Sequence, residues 1–116
     1  MVEIRIEVAQ VADKDRVLNF VREFYYKEEP ITLFHPTSGQ TKDDEEFSMS
    51  HLEYETVLMA FDGETMVGAL IAGPIKPGDA DEMMAEAEIT DTKKWADILR
   101  LLAFIERKAD VCNKTL

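Results

Sequence analysis

Asp62-Gly63 lies between two apolar, β-inclined runs, Thr56 to Phe61 and Thr65 to Ile71, and this arrangement constrains the fold more than any other stretch of the chain. Glycine accepts a left-handed backbone without steric cost, so an Asp-Gly pair flanked by such runs predicts a tight antiparallel hairpin. Gly68 inside the returning run marks a bulge or a close backbone contact. A third strand opens the chain, where Val2, Ile4, Ile6 and Val8 alternate with Glu3, Arg5 and Glu7. That period of two predicts one apolar face on a core.

Helical periodicity fills the rest. Val17, Phe20, Val21 and Phe24 recur at i, i+3, i+4 and i+7, one buried stripe of a first helix that Asp13 or Asp15 can cap and that runs to about Lys27. Pro30 ends it, because proline lacks an amide hydrogen and pushes the preceding Glu29 out of the helical region. Lys42-Asp43-Asp44-Glu45-Glu46 reads as the charged first turn of a second helix reaching Phe47 and Leu52. Gly73, Pro74, Pro77 and Gly78 end the sheet and begin a connection. Met83 and Met84 stand in an acidic stretch that reads equally as a helical turn or a linker. From a cap at Thr90 or Asp91, Trp95, Ile98, Leu99, Leu102 and Ile105 form the stripe of a long last helix, widened by Leu101 and Phe104.

Composition narrows the function classes. The 116 residues make one domain, 1–116, and 46% hydrophobic with 32% charged residues is the balance of a soluble globular chain. A net charge of −11 argues against a nucleic-acid partner, since phosphate binding needs clustered Lys and Arg. The same field draws cations, although it equally serves solubility. The longest apolar run, Met66 to Ile75, is broken by Gly68, Gly73 and Pro74 and falls short of the ~20 residues of a membrane helix. No secretory leader pattern opens the chain, and a cytoplasmic location is expected. Cys112 is the single cysteine, which excludes an internal disulfide, and neither it nor His35 and His51 shows metal-ligand spacing.

The stretch from Phe24 to Ile31, Phe-Tyr-Tyr-Lys-Glu-Glu-Pro-Ile, holds the chemistry. A carboxylate at a sharp helix exit among aromatic residues loses hydration, which moves such a group toward the range of a general base. A glutamate near a helix end is more often a solvated surface residue. The stretch resembles the signature of the insect-type arylalkylamine (dopamine) N-acetyltransferases of the GNAT superfamily, in which aromatics, a basic residue, an acidic residue and Glu-Pro follow the first helix. Val67-Gly68 is similar to the Val-Gly pair of that family's hairpin. The resemblance implies that Glu29 is the general base, that Pro30 fixes the turn, and that Tyr25, Tyr26, Pro30 and Phe34 contact a small primary amine, with His35 beside them. The family more often has phenylalanine at Tyr25 and Tyr26 and aspartate at Glu28.

That resemblance implies an α+β fold, a three-stranded, mainly antiparallel sheet with packed helices forming the N-terminal half of the acyltransferase domain. The family's Arg/Gln-x-x-Gly-x-Gly/Ala loop, which cradles the pyrophosphate of acetyl-CoA, occurs nowhere in the sequence. Acetyl-CoA is therefore the implied cofactor of the complete enzyme, and this chain alone is expected to bind none and to be inactive. A sheet cut at that point leaves an unpaired edge, from which self-association is expected. The competing readings are a non-catalytic truncated paralogue and an unrelated small α+β binding module.

Overall fold

The computed structural model describes residues 3–30 and 42–114. The chain divides into two compact units, Met1–Gly73 and Pro74–Leu116. The first holds strand β1 (Ile4–Val8), helix α1 (Lys14–Phe24), helix α2 (Lys42–Met49), strand β2 (Val57–Asp62) and strand β3 (Thr65–Ile71). The second holds helices α3 (Asp79–Ile89) and α4 (Lys93–Ala109). Single 3-10 turns precede α1 at Val11–Asp13, follow α2 at Ser50–Tyr54 and follow α4 at Val111–Asn113. The architecture is α+β, as the sequence implies.

The sheet has the order β1-β2-β3 with both pairings antiparallel. The hairpin turn falls one residue later than the Asp-Gly signal suggests. Asp62 still pairs with Thr65, so the two loop residues are Gly63 and Glu64. Gly63 takes φ +62 and Glu64 has no positive φ, which is the backbone pattern of a turn with glycine at its first central position. The bulge expected near Gly68 is present: Ala60 pairs with Gly68 and Phe61 with Met66, leaving Val67 as the extra residue.

The register decides which side of the sheet faces the helices. Val57, Met59 and Phe61 of β2 are buried with Ala9, Val17, Met49 and Leu52, and Leu18, Met66 and Ile71 pack against this core. Arg5 and Glu7 lie opposite Phe61 and Met59, and so share that core side. Ile4, Ile6 and Val8 therefore face the other way, with Ile6 59% exposed, which reverses the expectation that they meet the core. The arginine explains how a polar residue occupies the core side. Its guanidinium lies 4.9 Å from the centre of the Phe61 ring, donates to Glu7 Oε2 at 2.7 Å and to the Gly63 carbonyl at 3.2 Å, and keeps its charge at the rim.

Two helix ends also differ from the sequence reading. α1 stops at Phe24, short of both Lys27 and Pro30, with Tyr25 as its C-cap. Thr92, and neither Thr90 nor Asp91, is the N-cap residue of α4. The Met83-Met84 stretch, left open between helix and linker, is helix α3. It packs on α4, where Trp95 Nε1 donates to Glu86 Oε1 at 3.1 Å and Arg107 Nη2 to Asp81 Oδ1 at 2.7 Å.

Candidate active site

The residues after Phe24 form a closed turn rather than a continued helix. The amides of Tyr25 and Tyr26 both reach the carbonyl of Val21, at 2.9 Å each, the second of them a five-residue bond that widens the last turn of α1. The Tyr25 carbonyl then accepts from the amides of Glu28 at 3.1 Å and Glu29 at 2.9 Å. One oxygen thus gathers the backbone of the turn, and Glu29 emerges next to Pro30 at a position fixed relative to α1.

Within this turn the side chains part company. Tyr25 is 55% exposed and Tyr26 3% exposed, their rings meeting edge-on at 5.2 Å between centres. Glu29 is half-buried, and Glu28 and Pro30 are exposed. Burial raises the Tyr25 phenol above its usual pKa, and the charges of Glu29 and Asp44 push it further, so the Glu29 carboxylate lies within electrostatic reach of that hydroxyl. Of the sequence-derived set, Tyr25 and Pro30 are exposed, Glu29 is half-buried within electrostatic reach of Tyr25, and Tyr26 is buried. Phe34 and His35 lie outside the described residues.

Behind the turn, α1 and α2 are joined by a polar contact that nothing in the sequence marks. Arg22 donates through Nε to Glu45 Oε2 at 2.5 Å and through Nη2 to Glu45 Oε1 at 3.0 Å, a bidentate pair. Glu45 is buried to 7% exposure, and the hydrogen bond and charge of this carboxylate hold the Arg22 guanidinium above its usual pKa. The Tyr26 hydroxyl lies 3.4 Å from Asp44 Oδ1 and 3.4 Å from Ser48 Oγ. Residues some twenty positions apart meet here only because the helices cross, so periodicity gives no hint of the pairing. Among the described residues no group of His, Cys, Asp and Glu has the arrangement of a metal site, and no helix is long and apolar enough to cross a membrane.

No family model and no curated protein sequence matches the chain. Solved structures do. A mosquito arylalkylamine N-acetyltransferase-like protein, 5b, is 46% identical with a TM-score of 0.89, over 95% of this chain and 53% of that one. The chain carries the N-terminal half of the GNAT acetyltransferase fold. A Drosophila melanogaster polyamine N-acetyltransferase, an enzyme that catalyses the formation of N-acetylagmatine, is 30% identical with a TM-score of 0.89, over 95% of this chain and 53% of its own. A serine-to-alanine mutant of an agmatine N-acetyltransferase, in its apo form, is 30% identical with a TM-score of 0.87, over 94% of this chain and 52% of its own. The chain thus spans about half the length of the acetyltransferases that it matches. Likeness at this level over nearly the whole chain does not favour an unrelated binding module.

An anion site at a helix start needs free amides and no competing negative charge. α2 opens with Asp43, Asp44 and Glu45, and α3 with Asp79, Asp81 and Glu82. Those two helix starts disfavour a pyrophosphate, whereas α4 opens on Lys93 and Lys94 with no acidic residue in its first turn.

Proposed function

We propose that this chain forms the amine-side half of an N-acetyltransferase acting on primary amines, with acetyl-CoA as the acetyl donor of the complete enzyme. The observation that carries the reading is Glu29 itself: a half-buried glutamate whose backbone amide donates to the Tyr25 carbonyl just past the end of α1, in a chain 46% identical to an arylalkylamine N-acetyltransferase-like protein. The step assigned to this chain is proton removal. A primary amine is protonated at neutral pH and has no lone pair to attack with, so a base must take its proton first. Glu29 is that base, directly or through one water. Tyr25 and Pro30 line the amine side, and the net charge of −11 draws the ammonium toward it. The matched enzymes act on arylalkylamines, polyamines or agmatine by their names, and a cationic amine is the class these share.

The decisive experiment measures acetyl transfer after the other half of the fold is supplied, either by the longer reading frame or in trans. Glu29→Gln keeps the shape but cannot accept a proton, so kcat/KM at neutral pH falls by roughly 100-fold or more. Equal and mild effects of Glu29→Gln and Glu28→Gln would make Glu29 a surface carboxylate and remove the reading. An inactive reconstituted protein would favour the non-catalytic paralogue instead. Self-association through the outer edge of β3 belongs to the same proposal, since among the described residues no strand pairs there.

A further inference from the structure

Tyr26 is the most deeply buried described residue of the 24–30 stretch, and its hydroxyl needs an explanation that its ring does not. Phenylalanine, the commoner residue of the resembled signature, would fill the same space without placing a polar atom there. A buried hydroxyl is costly unless it finds an acceptor. Burial, reinforced by the charges of Asp44 and Glu45 and opposed by the Ser48 contact, holds this phenol well above its usual pKa. The hydroxyl donates to Asp44 Oδ1 of α2 at 3.4 Å, and Ser48 Oγ, also 3.4 Å away, can accept from it or donate to it. Both separations are long for a hydroxyl hydrogen bond.

What this tie holds is the turn. Tyr26 follows directly on the residue whose carbonyl collects the amides of Glu28 and Glu29, and its ring meets that of Tyr25 edge-on. Resting on the reading of Glu29 as the base, we propose that Tyr26 is a positioning residue, whose hydroxyl moors the exit turn of α1 to Asp44 and Ser48 of α2 and thereby sets where the Glu29 carboxylate stands. Buried to 3% exposure, it acts in this proposal through Glu29 instead of by the amine contact that the resemblance implies. The bidentate Arg22–Glu45 pair crosses the same helix interface and keeps the mooring point on α2 in place. A purely space-filling Tyr26 would serve the core alike with or without its oxygen.

The test is Tyr26→Phe in this chain, read by amide relaxation. The order parameters of Glu28 and Glu29 fall from about 0.85 to below about 0.6, while those of Leu52 and Met59 in the core stay unchanged. Asp44→Ala with Ser48→Ala, which removes both partners and leaves the phenol, gives the same local loosening, and adding Tyr26→Phe to it gives no more. In the acetyl-transferring protein, Tyr26→Phe lowers kcat about 10-fold with KM little changed, the signature of a displaced group rather than lost binding. Unchanged order at Glu29, or loosening spread evenly over the strands, overturns the proposal. Local loosening together with a harmless Glu29→Gln keeps the mooring and removes the base, so the two readings fail separately.

Discussion

At the scale of single residues, the two glutamates before Pro30 differ in exposure, and that difference makes them a matched pair. Glu28 is exposed and Glu29 half-buried, although they share a local charge and a backbone acceptor. The deficit of Glu29→Gln should shrink as pH rises, because free amine then exists without the enzyme's help, provided that chemistry limits the rate. Glu28→Gln should show neither the deficit nor its pH dependence. Gly73 offers a second residue-scale prediction, about stability. A Cβ built there would stand 2.0 Å from Cδ2 of His51, far inside contact distance. The imidazole cannot easily yield, since its Nδ1 lies 3.2 Å from the Ser48 carbonyl and its ring meets Phe47 edge-on at 5.1 Å. Gly73→Ala should cost roughly 1–3 kcal/mol in denaturant unfolding, the range of overpacked sites, and His51→Ala should recover most of that loss. A neutral Gly73→Ala would show that the ring moves freely.

Among the elements, β1 shows how far a pattern can be read. Alternation correctly marked a strand, but a period of two is symmetric between faces, and only the pairing of Arg5 with Phe61 reveals that the charged side is the one over the core. Hairpin, bulge and last helix were legible because each rests on local chemistry: a glycine turn, a glycine beside the extra residue, a sustained stripe. The end of α1 was not, because Tyr25, Lys27 and Glu28 all tolerate a helix and Pro30 sets only its outer limit. The same limit hid the inward turn of Tyr26, since neighbouring tyrosines look alike in a sequence. The exposed face of the sheet leads to a prediction about assembly. Ile6 is 59% and Leu70 58% exposed, on the side away from the buried core of the first unit. Replacing both with threonine, which keeps β propensity, should lower the average mass found by light scattering and weaken hydrophobic-dye binding, with little change in unfolding free energy. A compact, dye-silent monomer before substitution would count against self-association.

For the whole molecule, charge is the dominant fact. With 24 acidic against 13 basic side chains, the chain repels polyanions and attracts cations, a polarity that suits one substrate of an acetyltransferase and opposes the other. Calorimetric titration of this chain with acetyl-CoA should show no saturable binding in the micromolar range; a well-formed isotherm would reveal a cofactor site that the net charge and the acidic starts of α2 and α3 argue against. The division into two units has a different consequence, an optical one. All three tyrosines, Tyr25, Tyr26 and Tyr54, fall in Met1–Gly73, and the single tryptophan, Trp95, falls in Pro74–Leu116 with its indole nitrogen on Glu86. Emission excited at the red edge of the spectrum therefore watches α4 alone, and the near-ultraviolet signal left once that tryptophan contribution is subtracted reports the three tyrosines of the first unit, so one melting experiment follows the two units without any label.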